Sequence, residues 1–213
     1  MIEQILNLIY PNVCGICGTI CKDNICKKCE TKLKQYEINK NTIIKSKYID
    51  ESFFMYKYEG MLREKIIDYK FNENAYLYKM FSKIILKNKK ICGFLKKYDI
   101  IIPVPIHNVR KRHRGYNQTE LIAKQISKKL EIKLENNVLI KNKNIISQSE
   151  LDKKSRIENI KNAFIVENID KIINKNIVIF DDIYTTGSTL NECSKMLKEV
   201  GAKKIGILTI AKD

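Results

Sequence analysis

Two apolar runs near the carboxy end, NIVIFD (176–181) and KIGILTI (204–210), constrain this chain more than any other feature. Each is apolar without alternation, so a strand built from it must be covered on both faces. That is the condition of a strand inside a parallel sheet. Between them, TLNECSKMLKEVG sets Leu190, Cys193, Met196, Leu197 and Val200 on one helical face and stops at Gly201. A glycine just past the last apolar position suits a helix end. Strand, helix, strand with both strands buried is a crossover unit, and it calls for more strands beside it.

Upstream segments supply them. SFFMYKY is short and aromatic-rich, as strands are. GMLREKIIDYKF carries Leu62, Ile66 and Tyr69 on one helical stripe, and YLYKMFSKIILK carries Leu77, Met80, Phe81, Ile84 and Ile85. In YDIIIPVP, Ile100 to Ile102 form a buried strand ended by Pro103 and Pro105, two of only three prolines in the chain. NQTELIAKQISKKL reads as a helix capped by Asn117, with Glu120 at the capping-box spacing. The expected fold is an α/β domain with a largely parallel central sheet. Ligands in such domains bind beyond the carboxyl ends of strands. The two unusual turns, PVPIHNVRKRHRGYNQ and DDIYTTGSTL, both lie at such ends. The stretch from Glu135 to Asn162 is polar and weakly patterned, and a loop of that length inside a domain is usually mobile or functional.

The amino end is different. Five of seven cysteines fall between residues 14 and 29, and Cys14, Cys17, Cys26 and Cys29 form C-x2-C-x8-C-x2-C. Two such pairs on tight turns can close a tetrahedron around one Zn2+, a site without an open position and so structural. Cys21 is expected as a free thiol, Cys193 as core. A module this poor in apolar residues needs the metal to fold. The expected organisation is therefore residues 1–36 as an amino-terminal helix and zinc finger, then 48–213 as the α/β domain. The opening MIEQILNLIYPN places Ile2, Ile5, Leu6 and Ile9 at helical spacing. It has no basic leader and falls short of the ~18 apolar residues a membrane helix needs. A cytoplasmic protein without a membrane span is expected, of unspecified oligomeric state.

The formal net charge is +16. It suits polyanionic partners such as nucleic acid, nucleotides, phosphates or an anionic membrane surface, and equally a lysine-rich composition spread over solvated faces.

Asp181 and Asp182 close the first apolar run, and Thr185, Thr186, Gly187, Ser188 and Thr189 follow before a helix. A helix amino end exposes unpaired N–H groups and partial positive charge. Gly187 lets backbone approach a ligand, and the hydroxyls can donate to oxygens, so the turn suits a phosphate. A plain capped helix start, with Thr189 and Glu192 as a capping box, is the other reading. Carboxylates repel phosphate but accept hydrogen bonds from a vicinal diol. A ribose 5-phosphate meets both demands. A magnesium-ATPase reading of the acids finds no G-x-x-x-x-G-K-[ST] to support it.

VIFDDIYTTGSTL resembles the phosphoribosyl pyrophosphate (PRPP) motif of type I phosphoribosyltransferases. The four-cysteine module, YKYEGMLREKIIDYKF, IIPVPIHNVRKRHRGYNQTELIA, SQSELDKKSRIENIKNAF and GAKKIGILTIAKD narrow the resemblance to the ComF family of competence-associated phosphoribosyltransferase-like proteins. That resemblance implies a phosphoribosyltransferase fold, PRPP bound with Mg2+, and a role in DNA uptake during natural transformation. It also implies single-stranded DNA and competence proteins as partners. A salvage-type transferase with a small nucleobase or amine acceptor, and a non-catalytic PRPP sensor, are the alternatives. The acceptor is not specified, so the resemblance leaves catalytic turnover open.

Arg110, Lys111, Arg112, His113 and Arg114 have three open roles: neutralising pyrophosphate, tracking DNA phosphates with Tyr116 as a stacking ring, or forming a solvated basic loop. SQSELDKKSRIENIKNAF, which overlaps an expected flexible loop of about 140–162, is similar to the loop that closes over PRPP, with Gln148, Arg156 and Asn159 as its polar candidates. It also reads as a surface helix with Leu151, Ile157 and Ile160 inward. Lys70 and Phe71 are further candidates for the site.

Overall fold

The computed structural model describes residues 11–38, 44, 46–142 and 163–213. The expected amino-terminal helix and the candidates Gln148, Arg156 and Asn159 lie outside those residues.

Five strands form a fully parallel sheet: β1 (Glu51–Lys57), β2 (Ile100–Pro103), β3 (Lys133–Leu134), β6 (Asn176–Tyr184) and β7 (Lys204–Lys212). Their spatial order is β1-β7-β6-β2-β3. The two apolar runs that anchor the sequence argument are its central pair, β6 and β7, in register from Asn176↔Lys204 to Tyr184↔Lys212. Ile177, Val178, Ile179 and Phe180 are completely buried. Each such side chain contributes roughly 1.5–3 kcal/mol of hydrophobic stabilisation.

The period-2 alternation of β6 divides the interior. Val178 and Phe180 join one core, with Leu62, Ile66, Tyr69, Met80, Phe81, Ile122 and Ile126. Ile177 and Ile179 join the other, with Leu190, Cys193 and Leu197. The helices are α1 (Lys27–Leu33), α2 (Gly60–Phe71), α3 (Leu77–Lys87), α4 (Lys89–Leu95), α5 (Asn108–Arg114), α6 (Gln118–Leu130) and α7 (Ser188–Glu199). The first core is roofed by α2, α3 and α6, the second by α7. The helical stripes expected for α2 and α3 are the buried ones.

Two elements depart from expectation. The stretch after Glu135 is not loop throughout. Leu139–Lys141 (β4) pairs antiparallel with Phe164–Val166 (β5), and Leu139 and Phe164 are buried. The ribbon continues to Asn142, whose N–H donates to the Ala163 carbonyl at 2.8 Å. Arg110 to Arg114 are helical rather than loop, in α5, with His107 Nδ1 accepting from the Val109 N–H at 3.2 Å. Asn117 caps α6 by accepting from the Thr119 N–H. Glu120 does not complete a capping box. It accepts from Asn136 at 2.9 Å and pairs with Lys111 at 3.3 Å.

The cysteine module lies against the first core. Cys14, Ile25, Cys29 and Leu33 are buried within it. Gly15 matters for contact: a Cβ there would come within 2.8 Å of Leu77 Cδ2 and Met80 Sδ on α3. The knuckle turn itself uses Gly18, at φ +74°. Asp23 and Glu30 pair with Lys83 and Lys87 of α3 at 2.9–3.2 Å. No helix among the described residues is long and apolar enough to cross a membrane.

Candidate functional site

The site sits where the sheet changes direction. From β2 the chain crosses through α6 outward to β3, and from β6 it crosses through α7 the opposite way to β7. At such a switch point the strand ends leave a crevice. Pro103 pairs with Phe180 across it, and the Val104 N–H donates to the Phe180 carbonyl at 2.9 Å. The turn after β2 and the acids at the end of β6 are thereby held together.

Asp181 and Asp182 lie in the last residues of β6 and serve opposite faces, as neighbours on a strand must. Asp182 faces the α2/α6 side and is 3% exposed. Its Oδ1 is 2.8 Å from Lys70 Nζ, and its Oδ2 accepts from Gln118 Nε2 at 3.0 Å. Both its oxygens are thus engaged inside the protein. Asp181 faces α7 and β4 and is half-buried. Its Oδ1 accepts from the Asp182 N–H at 2.9 Å. Burial and then the Asp182 charge push its carboxyl up to about 7, against Lys70 and Lys141, which pull it down.

Behind Asp182 stands a polar scaffold. The Tyr69 hydroxyl donates to the Gln118 carbonyl at 2.8 Å, and the Tyr116 hydroxyl donates to the Tyr69 carbonyl. The two rings stack at 5.5 Å. Arg114 Nη1 donates to Gln118 Oε1, completing a chain from α5 through Gln118 to the acid. The sequence reading named Tyr116 but missed Gln118, which directly follows the Asn117 cap and so points back toward the strand end.

α5 sorts its cations by face. Arg110 and Arg114, four residues apart, are half-buried, whereas Lys111, Arg112 and His113 are exposed. Burial lowers Arg114 from its ordinary value, Asp182 opposes that shift, and Arg110 adds to it. Lys141, at the end of β4, completes the group. Burial and then Arg110 lower its ammonium, and Asp181 holds it up. Lys141 was missed because its strand was read as loop; the apolar Val138-Leu139-Ile140 before it was the available signal. Lys70, Arg114 and Lys141 therefore lie near the two carboxylates, with Arg110 beside Arg114 and Lys141, and the group carries an excess of positive charge.

The hydroxyl turn stands beside Asp181. Gly187 is the N-cap of α7 at φ +75°, and no side chain caps the helix. The alternative capping box of Thr189 and Glu192 does not form. The Ser188 N–H donates to Thr186 Oγ1 at a long 3.4 Å, and Gly187 itself has no side chain to satisfy the other N–H groups of the first turn. The Thr186 and Ser188 hydroxyls lie 2.9 Å apart, and Thr185 is exposed. A Cβ on Gly187 would collide with the Tyr184 hydroxyl. Of the basic candidates, Arg114 reaches Asp182 through Gln118, Arg110 lies near Arg114 and Lys141, Arg112 and His113 are exposed, and Arg156 is outside the described residues.

Residues 117–213 match the model of the phosphoribosyl transferase domain. Over 97% of this chain and 93% of its own length, competence protein F of Haemophilus influenzae is 30% identical. The chain belongs to the ComF family. Competence protein ComFC of Bacillus subtilis is 25% identical over 92% of this chain and 75% of its own. DNA utilization protein YhgH of Escherichia coli O6:H1 is 29% identical over 70% of this chain and 66% of its own. The ComF assignment and the type I phosphoribosyltransferase-like fold expected from the sequence both stand.

The four-cysteine module of this ComF-family chain is a credible metal centre. The Sγ atoms of Cys14, Cys17, Cys26 and Cys29 all lie within 4.8 Å of one another. A tetrahedron with Zn–S near ~2.3 Å needs sulfurs about 3.8 Å apart. Cys17 and Cys26 are 3.8 Å apart. Cys21 lies outside the cluster, and burial raises its thiol.

Proposed function

We propose that this ComF-family protein binds PRPP with Mg2+ at the β6–α7 corner and serves natural transformation by handling single-stranded DNA in the cytoplasm. One observation carries the reading: a helix start on Gly187, met only by a long contact from the Ser188 N–H to Thr186 Oγ1, adjoins two carboxylates beside a cluster of four cations. The 5-phosphate would take the N–H groups of the turn with the Thr186 and Ser188 hydroxyls. Ribose hydroxyls would donate to Asp181, while Asp182, its oxygens held by Lys70 and Gln118, would fix Lys70 beside the ligand. Lys70, Arg110, Arg114 and Lys141 would face the pyrophosphate, Arg as a planar fork and Lys as a point charge. Mg2+, entering with PRPP, would neutralise pyrophosphate oxygens.

The DNA part rests on different residues. Lys111, Arg112 and His113 occupy the outer face of α5, away from the acids. Lys111 pairs with Glu120 at 3.3 Å, and Arg112 and His113 beside it suit strand phosphates. The relatives' names, competence protein and DNA utilization protein, support the same direction. The cysteine cluster is proposed to hold one structural Zn2+. Its ligands must be thiolates, which a reducing compartment preserves.

Calorimetry with PRPP and Mg2+ tests the central claim. Binding is expected for the unaltered chain and lost in Asp181→Asn/Asp182→Asn with circular dichroism unchanged; equal affinity in both removes the acids from the site. Labelled PRPP then separates the roles. Transfer to a free base without a response to DNA makes the protein a salvage-type transferase, and binding without turnover makes it a sensor.

A further inference from the structure

Phe71, the last residue of α2, is 69% exposed. A lone exposed apolar side chain needs no explanation, but the surroundings of this one are unusual. Its chain neighbour Lys70 holds Asp182 at 2.8 Å. Its ring lies 5.5 Å from the Arg114 guanidinium, which in turn donates to Gln118. The ring therefore stands at the rim of the cation cluster. Arg114 takes one face, and the large exposure leaves the rest of the ring to solvent.

We propose that Phe71 is a stacking platform for a nucleobase at the mouth of the β6–α7 site, with Arg114 holding the ring from the opposite side. This rests on the PRPP reading for its neighbour but not for its own chemistry. An aromatic face beside guanidinium groups suits a planar heterocycle attached to, or approaching, an anionic phosphate or pyrophosphate. Arg114 is half-buried and anchored through Gln118, so it fixes the ring at little entropic cost. A phenyl ring carries no hydrogen-bond group, so the platform accepts any base. The base could arrive on a DNA strand or as a free acceptor. The contact is the same, and the sources are separable.

The chain contains no tryptophan. Phe71→Trp therefore creates a single fluorescent reporter at the platform. The probes are a ~12-nucleotide oligothymidylate, an abasic strand of equal length, and free adenine or uracil with PRPP and Mg2+, at lengths suited to one binding groove. Quenching by the oligothymidylate but not the abasic strand supports stacking on DNA. Quenching by a free base supports an acceptor site. No quenching by any of them, or equal quenching by the abasic strand, overturns the platform. In parallel, Phe71→Ala is expected to weaken oligonucleotide binding roughly five- to a hundredfold, with the salt slope unchanged because no phosphate contact is lost. A changed slope, or unchanged affinity for both the oligonucleotide and the free base, also counts against it. The failure of PRPP to bind the unaltered chain refutes the PRPP reading alone, since the oligonucleotide arm needs no PRPP.

Discussion

Lys70 Nζ lies 2.8 Å from Asp182 Oδ1, with side-chain exposures of 18% and 4%. The residues are far apart in sequence, and their pairing separates two adjacent acids into different roles. Asp182 is internally compensated in the free protein, by Lys70 and by Gln118. Asp181 keeps a carboxyl oxygen that accepts no hydrogen bond among the described residues.

Lys70→Met should destabilise the fold by about 3 kcal/mol, because it leaves a buried carboxylate without its cation. Adding Asp182→Asn should restore much of the loss, since the amide retains an acceptor and a donor. Urea unfolding of the three variants measures this. Equal stability of Lys70→Met and the unaltered chain would show that the pair does not form.

Asp181 gives a pH signature. Its carboxyl is raised from an ordinary 3.8 to about 7. The folded state therefore holds this proton more tightly than the unfolded chain does. Its contribution to stability is fully present below about pH 4 and is lost as pH rises through about 7. Asp181→Asn removes the titration. The variant should gain stability over the unaltered chain as pH rises from 4 to 8 and hold a constant difference above that. Thermal melts across this range check the sign, and parallel curves refute it.

Metal analysis should find about one zinc per chain, lost in Cys14→Ser. Cys14 and Cys29 are buried in the same core as α2 and α3. Chelation should therefore lower the melting temperature of the whole protein and not only that of the amino end. Full stability after complete metal removal would contradict a folding role.

Gly187→Ala should cost roughly 1–2 kcal/mol from the left-handed backbone alone. The clash with Tyr184 adds to it. PRPP affinity should fall with it by more than tenfold, because the turn must move. Gly93→Ala, where a Cβ meets nothing within 4 Å, is the control. Equal affinity in both variants would take the turn out of the phosphate site.

The sequence by itself determined the parallel sheet, because NIVIFD and KIGILTI cannot be solvated on either face. It determined the four-sulfur cluster, because C-x2-C pairs fix two ligands each on short turns. The acid pair and the glycine turn were legible for the same reason: their chemistry is local. Only the tertiary structure decided that Lys70 and Gln118 bind Asp182, that Lys141 stands near Asp181, and that Arg110 and Arg114 turn inward while Arg112 turns out. These follow from strand order, from the Pro103↔Phe180 register and from the rotation of a seven-residue helix. Such long-range placements depend on how separate elements pack, and neither periodicity nor spacing along the chain encodes them.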